Sequence, residues 1–80
     1  MTKEKIKKEL TEILLDHKFI KDKQPVNETD SYDHDYGMDS LDKIELAIEI
    51  ERTYLVSIPD DHLEKLTTVG ETIDYLHQIL

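Results

Sequence analysis

Gly37-Met38-Asp39-Ser40-Leu41-Asp42-Lys43-Ile44-Glu45-Leu46-Ala47-Ile48-Glu49-Ile50 is the stretch on which the fold turns. Asp39 and Ser40 are helix-opening residues, because short oxygen-bearing side chains accept from the free N–H groups of a first turn. From Ser40, at about 100° per residue, Leu41, Ile44, Leu46, Ala47, Ile48, Ile50, Tyr54 and Leu55 spread over about 220° of a helix running to about Tyr54. Asp42, Glu45, Glu49, Arg52 and Thr53 fill the remaining arc of about 100°. A helix apolar over so wide an arc is expected to sit centrally and touch several neighbours. Lys43 and Glu51 fall inside that arc and are expected to extend their charges past its edge.

Upstream, Ile6, Leu10, Ile13 and Leu14 follow the spacing of an amphipathic helix. Thr2 can cap it, and Glu4 suits the positive end of its dipole. Leu15, Phe19 and Ile20 carry the apolar face to an end between His17 and Ile20. From Lys21 to Met38 no period survives, and Pro25, Asn27, Asp30, Ser31 and Asp33 supply turn chemistry. A loop so long is either functional or carries a turn of helix.

Downstream, Val56-Ser57-Ile58-Pro59 reads as extended, because a residue before proline avoids the helical region. Pro59-Asp60-Asp61 starts a short third helix with Leu63 and Leu66 on one face. Thr68-Val69-Gly70-Glu71 has the spacing of a capping box and opens a last helix with Val69, Ile73, Leu76 and Leu80 in one stripe. No segment alternates with a period of two. The expectation is an all-α fold, a small four-helix bundle in a single domain over residues 1–80, with a long loop after the first helix and no internal repeat.

Leu, Ile, Val and Phe fill 23 of the 80 positions, above the share of about one fifth at which a charged chain stays disordered. The core they can make is thin, since a chain of this length hides only about two thirds of its unfolded surface. Cysteine is absent, which excludes disulfides, zinc-thiolate sites and thiol catalysis by the chain itself. The apolar runs are too short for a membrane span, and Met1-Thr2-Lys3-Glu4-Lys5 has no apolar signal core. A cytoplasmic protein without membrane insertion is expected. Net charge is −9, with a balance of +2 over residues 1–23 and −11 over 24–80. Such a surface repels nucleic acid and anionic lipid and favours basic protein partners.

Self-contained catalysis finds little support. A triad of Ser40 with His34 or His62 can be drawn, but Gly37 and Gly70 are the only glycines, and neither a nucleophile elbow nor an oxyanion-hole run is present. The acids Asp30, Asp33, Asp35, Asp39 and Asp42 resemble a calcium loop only in number. With Gly37 as the sixth loop position, Tyr32, His34 and Tyr36 stand where Asp or Asn is needed. His17, His34, His62 and His77 lack metal-ligand spacing, so no metal is assigned. Ser40 as a helix cap is the plain reading. A hydroxyl at a helix N-terminus also suits a phosphodiester, because free N–H groups and the dipole favour an anion there. Asp42, Glu45 and Glu49 just beyond it would guide a basic surface to that spot.

Gly37-Met38-Asp39-Ser40-Leu41-Asp42 resembles the G-x-D-S-L motif of acyl carrier proteins. Ile44-Glu45-Leu46, Ile58-Pro59-Asp60, Glu64-Lys65-Leu66-Thr67-Thr68-Val69 and Ile73-Asp74-Tyr75-Leu76 resemble later blocks of the same family. They run in order and without a gap from about Asp35 to Leu76. The resemblance implies a bundle of the acyl-carrier type that catalyses nothing. It implies that a phosphopantetheinyl transferase attaches 4′-phosphopantetheine to Ser40 as a covalent cofactor, and that acyl intermediates ride on its thiol as thioesters. By alignment, Asp39, Leu41, Asp42, Glu45, Ile48 and Glu49 are the expected recognition residues for acyl-loading and chain-processing enzymes with basic docking surfaces. Leu46, Ile58, Leu63, Leu66 and Tyr75 are the expected lining of an acyl cavity, and a monomer suffices.

Departures fall on the charges that guide partner choice. Arg52 stands where an acid is typical, and Lys43 adds a second positive charge to the same helix. Leu55-Val56-Ser57 replaces a stretch that often carries acids, and the first helix lacks the usual glycine-containing turn at its end. Fatty acid synthesis and a specialised acyl or polyketide pathway both fit. The alternative is an unmodified acidic helical adaptor that binds basic partners through residues 42–52.

Overall fold

Helix α1 (Lys3–Asp16) forms where the apolar spacing predicts it, and buries Ile6, Leu10, Ile13 and Leu14. Thr2 caps it, its Oγ1 accepting from Lys5 N at 3.2 Å. The structure is a computed structural model that describes residues 1–21 and 24–80, so positions 22 and 23 of the expected loop lie outside the described residues. The helix stops at Asp16, just short of the expected window. The turn that ends it places Lys18 in the left-handed region at φ +60°, and the N–H groups of Phe19 and Ile20 fold back onto Leu14 O at 2.9 and 3.3 Å. Leu15 packs on the core from the last turn of α1, whereas Phe19 and Ile20 meet it around a turn, not along a continuing helix.

Helix α2 (Ser40–Tyr54) is capped by Asp39, with Ser40 already inside the first turn. It ends at Leu55, which adopts φ +55° and gives its N–H to Glu51 O. The wide apolar arc divides into two. Leu46, Ala47 and Ile50 are buried, while Leu41, Ile44, Ile48 and Leu55 face solvent. The expectation of a central helix is thus corrected. Helix α1 and the short helix after α2 pack against one side of α2, and the other carries the exposed Leu41, Ile44 and Ile48. Glu51 does not reach past the edge either, because its Oε2 accepts from Ile58 N at 2.7 Å. Lys43 pairs with Asp33 of the preceding loop.

The expected third helix is a single 3₁₀ segment, Asp60–Lys65, resting on α2. His62 N donates to Pro59 O at 2.9 Å, the three-residue spacing of a tight helix, and Leu66 N donates to Leu63 O at 3.0 Å. Leu66 is buried and Leu63 half-buried. Helix α3 (Val69–Ile79) packs mainly on α1 and buries Val69, Thr72, Ile73 and Leu76. Leu80 drops out of the expected stripe and is exposed. Thr68 Oγ1 accepts from Glu71 N at 3.1 Å, which is one half of the expected capping box. The other half is displaced, because the Glu71 carboxylate takes the Thr67 hydroxyl at 2.8 Å.

The long loop is held by residues that periodicity does not reveal. Tyr32 is wholly buried and its hydroxyl lies 2.6 Å from Thr72 Oγ1. Thr72 Oγ1 itself donates to Thr68 O at 3.0 Å, so the Tyr32 hydroxyl is the donor to it. Tyr32 N to Thr67 O, Val69 N to Asp30 O and Gly70 N to Glu28 O stitch the loop to the start of α3, around an isolated bridge at Ser31 and Thr68. Gly70 is required there, since a Cβ would stand 2.9 Å from Glu28 O. Burial pushes the Tyr32 hydroxyl far above the usual tyrosine range. One contiguous cluster joins the buried faces of α1, α2 and α3 with Ile20, Tyr32, Met38, Ile58 and Leu66.

Candidate functional site at the start of α2

Ser40 owes its place to the three residues before it and to Asp42 just after. Gly37 turns the chain at φ +65°, where a side chain would be strained although space is open. Met38 is buried, and its N–H donates to Tyr32 O at 2.9 Å, so the approach hangs on the same tyrosine that enters the core. Asp39 Oδ1 then accepts from Asp42 N at 2.9 Å, and Asp42 Oδ2 accepts from Asp39 N at 3.1 Å. This reciprocal box is complete without Ser40. The serine is left exposed at the first turn, its hydroxyl spared from capping.

An anion esterified to Ser40 Oγ would meet the positive end of the α2 dipole. No buried group has to move to admit a phosphodiester, and the residue types fit 4′-phosphopantetheine on that ground. Asp39, expected both to open the helix and to meet partners, is its cap. Its place beside Ser40 is explained by the helix whether or not the serine is modified.

Beyond Ser40, α2 presents a ridge of Leu41 (62% exposed), Ile44 (44%) and Ile48 (44%). Ile44 was not among the expected recognition residues, although its spacing from Leu41 and Ile48 places it on their face. Glu45 is exposed, Asp42 half-buried in the capping box, and Glu49 half-buried. Glu49 meets His17 Nε2 with Oε2 at 3.1 Å and Arg52 Nη1 with Oε1 at 2.9 Å. His17, Phe19, Glu45, Ile48 and Glu49 line an open groove of about 300 Å³ between the end of α1 and α2. Sequence reasoning missed this contribution of His17 and Phe19, since the turn at Lys18 carries them there.

The five expected cavity residues gather on the opposite side of α2. Leu46, Ile58 and Leu66 are buried core, with Leu63 and Tyr75 half-buried against them. Tyr75 Oη lies 2.8 Å from His62 Nδ1, and the two rings meet edge to face. The His62 ring is therefore engaged by α3, away from the triad role considered for it. The loop acids are engaged as well. Asp30 accepts from Asn27 N and from the Tyr36 hydroxyl at 2.9 and 2.7 Å, and Asp35 accepts from Ser31 N at 2.6 Å. Hydrogen bonding from the Asn27 N–H and then the Tyr36 hydroxyl holds the Asp30 carboxyl below the usual range. Among the described residues no three His, Asp or Glu side chains converge as a metal site, and no helix is long and apolar enough to cross a membrane.

Comparison with known proteins agrees with this geometry. A family model described as "Phosphopantetheine attachment site" matches residues 5–76. A protein of Chlorobium phaeobacteroides named "Acyl carrier protein" is 37% identical over 76 residues, which are 95% of this chain and 96% of that one. Proteins of the same name from Lactobacillus johnsonii and Porphyromonas gingivalis are 34% and 33% identical over 95% and 94% of this chain, and 94% and 95% of their own lengths. With its serine exposed at a capped helix start and the likeness running almost end to end, the chain belongs to the acyl carrier protein family.

Proposed function

We propose that this carrier holds acyl intermediates as thioesters on a 4′-phosphopantetheine arm attached at Ser40, for fatty acid or specialised acyl biosynthesis. The observation that carries the reading is Ser40 itself, exposed at the first turn of α2 and free of the capping box around it. The group supplies the thiol that a cysteine-free chain lacks. The chain's own part is to hold the attachment point on a rigid helix start, with Asp39 and Asp42 fixing the backbone. Leu41, Ile44 and Ile48 offer an apolar ridge to a docking enzyme, with Asp42 and Glu45 beside it for basic side chains. Leu46, Ile58, Leu63, Leu66 and Tyr75 would line the space an acyl chain opens, a core when empty and a pocket when filled. The reading takes the protein as a cytoplasmic monomer served by a phosphopantetheinyl transferase and by acyl-loading and chain-processing enzymes.

Intact mass before and after incubation with coenzyme A and a phosphopantetheinyl transferase tests it. The expected result is a gain of one phosphopantetheine, absent in Ser40→Ala. A folded, unmodified protein that gains nothing with several transferases would instead be an acidic adaptor.

A further inference from the structure

We infer that Glu49 is withdrawn from partner recognition by two neighbours of the chain itself, His17 and Arg52, which leaves Glu45 as the carboxylate a docking enzyme reads beside the ridge. The inference rests on the carrier reading above and refines which charges a partner reads. Both carboxylate oxygens of Glu49 are taken, Oε2 by His17 across the α1–α2 junction and Oε1 by Arg52 one turn along the helix. Its side chain is 19% exposed, so a partner's lysine or arginine would have to displace a held neighbour to reach it. Glu45, one turn earlier, is exposed and shares the groove with His17 and Ile48.

The fold fixes both neighbours of Glu49. The turn at Lys18 follows His17 and sets its ring against α2, 6.2 Å from the Phe19 ring. Arg52 stands three residues on from Glu49 along the same helix. Glu45 is exposed on the same groove and stays within reach of a basic surface.

The test is the KM of the apo-protein for phosphopantetheine transfer from coenzyme A with one transferase. Glu45→Gln and Glu49→Gln are each compared in the wild-type chain and in a His17→Ala/Arg52→Ala background. In the wild-type chain, Glu45→Gln should raise KM by roughly two- to fivefold, the size of one exposed charge interaction, and Glu49→Gln by less. Freed of its two neighbours, Glu49 should then count, so that Glu49→Gln raises KM in the double-alanine background. A Glu49→Gln penalty matching that of Glu45→Gln in the wild-type chain, or no Glu49→Gln penalty in the double-alanine background, would overturn the inference. If wild type gains no mass, the carrier reading fails and the inference with it, an outcome distinct from transfer that ignores Glu49 in both backgrounds.

Discussion

Replacing Ser40 with alanine removes a hydroxyl that the capping box does not use. Ser40→Ala should therefore unfold within about 0.5 kcal/mol of wild type, as a surface change does. Asp39→Ala should cost about 1 kcal/mol, because Asp42 N loses its acceptor. Thermal or urea unfolding of the two variants checks the order. Two adjacent residues could have capped this helix, and the plain reading of Ser40 as the cap is corrected to Asp39. Asp39 has Asp42 three residues on to answer it, whereas Ser40 has Lys43, which cannot return a hydrogen bond to a backbone N–H. The fate of Glu49 was not legible, because His17 reaches it only through the fold.

At the scale of elements, both α1 and α2 end on non-glycine residues in the left-handed region, Lys18 and Leu55. Leu55 is also 90% exposed, so it contributes almost no burial in return. Leu55→Gly should raise stability by about 1 kcal/mol, since glycine occupies that position without the Cβ clash; a lower unfolding temperature would contradict the account. Tyr32→Phe should lose about 1 kcal/mol, the worth of a buried hydrogen bond whose other partner, Thr72, keeps its bond to Thr68 O. Helices α1, α2 and α3 were readable because each repeats apolar residues at helical spacing. The loop anchors were not, because Tyr32 and Met38 act singly and their partners lie forty residues away on α3 or within the loop's own turn. The uncovered ridge of α2 escaped for the opposite reason. Periodicity counts apolar positions and does not say how many faces have a neighbour.

The whole molecule carries a net charge of −9, and self-repulsion on that scale loosens a small fold. Added sodium chloride should raise its unfolding temperature, by screening. The titrating groups set limits at both ends of the pH range. Asp30 has a folded pKa below its ordinary value, so its contribution is present above the usual carboxylate range and is lost as pH falls through the folded value. Tyr32, Tyr36 and Tyr54 are raised, chiefly by burial, with Asp30 and Glu9 adding to the last two. Their contribution is complete below about pH 10, the ordinary tyrosine value, and is lost as pH climbs above it. Circular dichroism against pH should show alkaline unfolding that is delayed, relative to its own neutral stability, in Tyr32→Phe. The concentration of acids after residue 24 was visible in the sequence and agrees with a surface for basic partners. The pairing of His17 with Glu49 and of Lys43 with Asp33 emerges only when the chain is folded, whereas Arg52 meets Glu49 within one turn of α2.

The central claim is that Ser40, and no other hydroxyl, receives the arm. The chain has two other serines, Ser31 and Ser57, which gives peptide mapping a clean contrast. After transfer from coenzyme A, proteolysis and tandem mass spectrometry should place all the added mass on the peptide containing Ser40. Added mass on Ser31 or Ser57, or undiminished transfer to Ser40→Ala, would contradict the account.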